Sequence, residues 1–325
     1  WPLLTQALAG HGAMLMTSGR PTAGLGLLRV ALEVAREHDL PSAQLVPLNN
    51  LASFLAARDV TAARTYVEEG LALARILGDE DTGSYLRGTA AFIYWQCGEW
   101  DALRLVVAGQ PQGSDFAIVA AMYDALAKRA RGETLAEPAI EADDALAPQL
   151  AAAQWSIVAL QELEAGDPVA ATAAAARALQ TFARFGGFDD DFPTYWCSAL
   201  DLSLDHGPVD EARAIFTSVA DAPRGQLSPL VRALIPYFRA RLVAADGGDA
   251  ALVAADFATG AADLAAFGAP YWQARCQLDH AGWLTEHGRR DEAVSLVDEA
   301  DRLFTALRAQ PWLERTRRMR SLAVR

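Results

Sequence analysis

The chain has 325 residues, 52% of them hydrophobic, more than one ordinary single-core domain accommodates, so it forms two domains or a repeat array. A formal net charge of −13 argues against direct nucleic-acid binding, because phosphate contacts need clustered cations. Lys128, in Ala127-Lys128-Arg129, is the sole lysine, which excludes a Walker A phosphate loop; the Arg-for-Lys usage reads as high-GC coding bias.

Helical periodicity runs along the whole chain, cut by short Gly, Asp and Pro breaks, with no alternating strand pattern beside hairpin turns. In chain order the breaks predict helix-turn-helix units over 1–40 turning at Gly19, 41–78 at Asp59, 79–110 at Gly98 and 114–147 at Gly132. They continue over 148–187 at Gly166, 190–222 at Gly207, 226–268 at Gly247 and 269–308 at Gly288, with a closing helix over 311–325. Successive turn points lie 34 to 41 residues apart, a spacing that marks a solenoid. The predicted fold class is all-α, a right-handed α-solenoid of about eight hairpins.

Small residues keep phase with the turns. Gly12, Ala91, Ala125, Ala159, Ala240 and Ala281 each stand seven positions before a turn residue. Gly24, Ala171, Ala212 and Ala293 stand five after one, and Ala31, Ala178 and Ala300 seven further on. The Gly207 unit departs, with Leu200 at the first position and Ala199 beside it. Two helices joined by a tight turn approach closely only where side chains are small.

At these residues the chain resembles the tetratricopeptide repeat family. The resemblance is carried by Ala281-Gly-Trp-Leu-Thr-Glu-His-Gly-Arg-Arg-Asp-Glu-Ala293 with Ala300, by Trp155, Ala159, Gly166, Ala171 and Ala178, and by Leu48-Asn-Asn-Leu-Ala52. It departs in its longer period and in lacking the proline that usually closes a repeat. The longer period, Phe267-Gly-Ala-Pro-Tyr-Trp and Ala309-Gln-Pro-Trp-Leu-Glu-Arg are similar to the sensor superhelix of bacterial signalling ATPases of the maltose-regulon activator type. Similar arrays occur in LuxR-type regulators and ATPase-linked adenylate cyclases. This implies a bacterial, cytoplasmic sensor with ATPase, DNA-binding or cyclase domains outside this chain, which begins Trp1-Pro2 and reads as a piece of a longer protein.

In such arrays the first helix of each pair lines the concave face. Phase with the turns then nominates Asn49 and Ser53; Tyr85, Phe92, Trp95 and Gln96; Ser156, Leu160 and Glu164; Tyr237 and Arg241; and Arg275, Thr285 and Glu286. Trp196 is a further candidate of uncertain phase. Phe92 and Trp95 share a helical face, which either opens into the groove or packs on the neighbouring first helix. Asn49 and Asn50 either bind an extended peptide backbone or tie one helix to the next. His280 reads as a core histidine or as a pH sensor. An aromatic groove suits a peptide or protein partner, a sugar, or an apolar small-molecule effector.

No membrane span is expected, and the uncharged run 145–161 contains Pro148 and three glutamines. Cys97, Cys197 and Cys276, distant and odd in number, read as buried free thiols of a reducing compartment. No histidine pair has zinc spacing, and Asp189-Asp190-Asp191 lacks calcium-loop spacing and reads as a solvated loop capping the next helix. Arg315, Arg317, Arg318 and Arg320 belong either to a capping helix or to a basic linker toward a DNA-binding domain. No acid, base and nucleophile converge in sequence, so the expectation is a non-catalytic binding module without metal or cofactor, either a regulator's sensor region or a free-standing adaptor, ahead of a third reading as an enzyme on a helical scaffold.

Overall fold

The computed structural model describes residues 1–111, 113–135, 141–184 and 191–323. Among these residues the chain forms sixteen α-helices and no strand. Seven helix hairpins follow one another: α1 (Pro2–Thr17) with α2 (Pro21–Glu37), α3 (Pro41–Ala56) with α4 (Val60–Leu77), α5 (Glu80–Cys97) with α6 (Trp100–Ala108), α8 (Pro148–Ala165) with α9 (Pro168–Ala183), α10 (Phe192–His206) with α11 (Val209–Ala220), α12 (Pro229–Ala245) with α13 (Ala250–Phe267), and α14 (Pro270–Glu286) with α15 (Arg290–Leu307). Helix α7 (Asp115–Arg131) stands between the third and fourth hairpins, and α16 (Gln310–Ala323) follows the last. Each helix packs on its chain neighbours, and first helices pack on the first helices of adjoining hairpins. This is an all-α solenoid.

The expected unit over 114–147 is not a complete hairpin. Among its described residues only α7 is helical. After Gly132 the chain carries Pro138 and no helical apolar stripe, and 141–147 runs beside α8 and α9. There Trp155 Nε1 and Arg177 donate to Asp144 at 2.9 and 2.6 Å.

Local chemistry explains the turns. Gly166 closes α8 in the left-handed region at φ 85°, where a Cβ is strained. The turn at Asp59 instead uses a side-chain cap, its carboxylate accepting from Ala62 N at 3.0 Å. Prolines that do not close repeats open helices: Pro41, Pro148, Pro229 and Pro270 stand at the starts of α3, α8, α12 and α14, where a missing N–H costs nothing.

The small residues fall where the helices touch. Ala31, Ala91, Ala171, Ala212, Ala240, Ala281, Ala293 and Ala300 are fully buried. Between α1 and α2 the backbones approach closely. A Cβ on Gly12 would lie 3.0 Å from the Gly24 carbonyl oxygen, and one on Gly24 would lie 2.7 Å from that of Gly12.

The array also closes on itself. Helix α5 touches α14, and α7 touches α16. Trp95 of α5 lies 5.2 Å, between ring centroids, from Tyr271 of α14. Buried Arg131, at the end of α7, donates from Nε to the Leu307 carbonyl at 3.2 Å and pairs with Asp101 at 2.8 Å. One hairpin earlier, Leu230 N at the start of α12 donates to the Ala57 carbonyl after α3 at 3.1 Å. The accessible surface measures compactness: 14414 Å², against about 13,000 Å² for a compact monomer of this mass. An open solenoid of separated hairpins would expose far more.

Contrary to the expectation of no span-like stretch, α13 is long and apolar enough to cross a membrane by length and composition, with a mean hydropathy of 1.4. Here it is the second arm of a hairpin. Its Asp256 is buried and bound through both oxygens by Arg239 at 2.6 Å. The three cysteines are free, Cys197 and Cys276 buried and Cys97 half-buried. Burial, then Glu99, pushes the Cys97 thiol up to about 11.

Asp191, expected in a solvated loop, is buried. Asp189 and Asp190 lie outside the described residues. The Asp191 carboxylate does not cap α10; it accepts from Tyr123 Oη at 2.6 Å and Gln149 Nε2 at 2.8 Å. Burial outweighs these bonds and raises its pKa. Helix α16 packs on α15, α14 and α7. Its Arg315 and Arg320 pair with Asp279 and Asp298, both at 2.8 Å.

Candidate functional site

Closure converts the concave face into a partly enclosed cavity of about 440 Å³. Four aromatic residues form one wall: Trp95 from α5, Tyr271 and Trp272 from α14, and Trp312 from α16. Three of them share one origin in sequence. Tyr271-Trp272 and Trp312 directly follow the prolines that open α14 and α16, so they sit in the first helical turn, where these helices meet α5 and α7. Helices α7, α8 and α10 supply the opposite side, with Leu126, Leu160, Leu163 and Leu202 among polar groups.

The cavity's fixed charge is a guanidinium. Arg275 is 3% exposed and binds Asp201 through both nitrogens, at 2.5 and 2.7 Å. Its plane lies near Trp312, Trp272 and Tyr271, with centroid distances of 4.6, 5.2 and 5.9 Å. Burial opposes charge on both partners, yet their attraction outweighs it. Asp201 is held below the usual carboxylate range by Arg275 and Arg241, and Arg275 is held well above the ordinary arginine value by Asp201.

The pair belongs to a larger network. Arg241 also binds Asp201 and reaches Asp205 at 2.6 Å and Asp279 at 3.8 Å. Tyr237 Oη donates to Asp279 at 2.8 Å, and Arg315 pairs with the same carboxylate. Three carboxylates and three guanidiniums thus join α10, α12, α14 and α16 behind the cavity wall. At the cavity's exposed side Asp205 has its pKa raised by burial and then by Asp201. Glu133 pairs with Arg104. Glu164 accepts from Leu135 N. Arg129, exposed on α7, lines the cavity without an ion pair among the described residues.

The nominated residues divide by place. Trp95, Leu160, Glu164 and Arg275 meet in the cavity. Tyr237 and Arg241 lie behind it in the ion network. Phe92 packs on the neighbouring first helix, stacked on Tyr123 at 5.4 Å. Asn49 Oδ1 accepts from Thr89 Oγ1 at 3.0 Å, which ties α3 to α5. Ser53 is half-buried, and Gln96 and Ser156 are buried. Tyr85 is exposed against Phe116 at 4.3 Å. Glu286 is exposed at the end of α14, and Thr285 bonds its own helix at Ala281 O. Trp196 is fully buried on Phe238.

Tyr271, Trp272, Trp312, Arg129, Asp201 and Asp205 were not among the nominated positions. The proline-aromatic strings were the available signal, since a proline at N1 fixes where the following rings begin. No group of residues suited to hold a metal occurs among the described residues. No protein-family profile matches the sequence, and no curated protein matches it.

Proposed function

We infer that the chain is a non-catalytic binding and assembly module whose ligand is a small molecule held in the central cavity. One observation carries this reading: the superhelix closes, leaving a cavity of about 440 Å³, within the 300–1,000 Å³ of ordinary small-ligand sites. An open groove would suit an extended peptide; an aromatic recess between α5 and the α14–α16 segment suits a compact effector. Because its walls come from α5, α7, α8 and α10 on one side and from α14 and α16 on the other, a ligand that binds the closed form better than an open one favours closure, and that difference in affinity is the signal. Asp201 and Arg275 are locked to each other, which supports a positioning role over proton transfer.

The tetratricopeptide-like strings and the long period extend the proposal. The module is the sensor region of a larger bacterial regulator or signalling ATPase, of the kind found in LuxR-type and maltose-regulon-activator-like proteins. The full-length gene tests this part: an upstream nucleotide-binding domain supports it, and a free-standing reading frame favours an adaptor. The binding claim is tested by thermal-shift screening with sugars, nucleotides and peptides, followed by tryptophan fluorescence titration. A small molecule that stabilises the wild type and quenches fluorescence is expected, with affinity at least tenfold weaker in Trp95→Ala and in Arg129→Ala. Binding of peptides alone, or small-molecule binding indifferent to both variants, contradicts it.

A further inference from the structure

A second pocket, of about 850 Å³ and with a wide mouth, lies where the α3/α4 hairpin meets α12 and α13. Where the central cavity is aromatic with charges of both signs, this pocket is mainly basic. Four arginines line it: Arg58 from the turn after α3, Arg224 from the connection before α12, and Arg232 and Arg239 from α12. Arg232 and Arg239 are seven residues apart, two helical turns, so they project from one face. One carboxylate, Asp263, faces them in the pocket lining.

The local excess of positive charge stands against the chain as a whole, with 28 basic and 41 acidic side chains. Several exposed guanidiniums elsewhere meet carboxylates, as in Arg36–Glu69, Arg213–Asp246 and Arg289–Glu292. In the pocket, Arg239 is oriented by buried Asp256, a bond that raises its pKa. Arg224 and Arg232 are exposed and form no ion pair among the described residues. The start of α12 adds the positive end of a 17-residue helix, with Ser228 capping Val231 N.

We propose that this pocket binds a compact soluble anion carrying two or more phosphate groups. Guanidinium forks match phosphate oxygens in pairs, and several of them converging on one recess select a multiply charged ligand over chloride or a single carboxylate. A long nucleic acid fits poorly, because the rest of the chain repels its backbone. The site sits on the seam where Leu230 N meets the Ala57 carbonyl. Arg58 comes from one side of that seam and the other three arginines from the opposite side. A bound anion that spans the seam therefore ties the two sides together.

Calorimetric titration of the full chain with inorganic pyrophosphate and with a nucleoside triphosphate tests this, at low and at physiological salt. Saturable binding to the wild type is expected, weakened at least tenfold in Arg224→Ser/Arg232→Ser and unchanged in Arg289→Ser and Trp95→Ala. Because both altered side chains are exposed, helical circular dichroism should match the wild type. Arg232→Lys should retain binding within about tenfold, since it keeps the charge and loses the fork. The absence of pyrophosphate and triphosphate binding, equal binding by the double variant, or binding of an oligonucleotide alone overturns the proposal. Trp95→Ala separates it from the central cavity, whose ligand that variant loses.

Discussion

Truncating Arg275 removes the charge on which the inner wall of the cavity is organised. The side chain is 3% exposed and holds Asp201 with two bonds. In Arg275→Ala the half-buried Asp201 keeps only Arg241, and Trp272 loses its cation while Trp312 keeps Arg315. Breaking one side of a buried pair costs about 3–5 kcal/mol. The retained Arg241 contact moves the expectation to the lower end, about 3 kcal/mol. Asp201→Asn leaves Arg275 buried with a neutral partner and is expected to cost about 2–3 kcal/mol. Once the charge on one partner is gone, the other has less to lose. Arg275→Ala/Asp201→Asn should therefore cost at least about 1 kcal/mol less than the sum of the two single changes. Urea unfolding of the four proteins, followed by tryptophan fluorescence and circular dichroism, reads the cycle. A cost below about 1 kcal/mol for Arg275→Ala, or strict additivity, would refute the reasoning.

Three further outcomes follow from the same contacts. Gly98→Ala should lower stability by about 1 kcal/mol or more, because the residue sits at φ 77° and its Cβ would meet Leu307 Cδ2 at 2.5 Å across the seam; unchanged melting would deny that contact. Ala281→Leu should overpack the last hairpin at a fully buried position and cost about 1–3 kcal/mol in denaturant unfolding. His280, stacked on Phe257 at 5.2 Å, is lowered to about 4 by burial and then by Arg289, with Glu292 opposing. The fold therefore favours its neutral form, and the stability this gives is complete above the ordinary value of 6.5 and lost as the pH falls from 6.5 toward 4. Between pH 7 and 5 the wild type should lose about 2 kcal/mol that His280→Leu does not lose; equal losses in both proteins would place the titration elsewhere.

The hairpins were legible in the sequence because their determinants are local. A glycine in the left-handed region, an aspartate cap and a small residue at the point of closest approach each lie within one helix of the turn. The pair Gly12 and Gly24 illustrates this: neither tolerates a Cβ without a shift, and each stands at a fixed distance from Gly19. Closure was not legible. Trp95 and Tyr271, Ala57 and Leu230, and Arg131 and Leu307 are separated by most of the chain, and they meet only after the small rotations of several hairpins accumulate. The concave positions were therefore assigned to an open groove, whereas Tyr237 and Arg241 sit in an ion network and Phe92 on a neighbouring helix. Among the described residues no second helix follows α7, although Gly132 makes the expected turn. Asp191 was misplaced because its partners, Tyr123 and Gln149, come from two earlier helices.

Small-angle scattering of the monomer in solution tests closure most directly, since the cavity and the seam both depend on it. A closed array of this length should have a radius of gyration of about 20 Å and a single-peaked, nearly symmetric distribution of pair distances. A substantially larger radius with a long tail in that distribution, the signature of an open solenoid, would contradict the account.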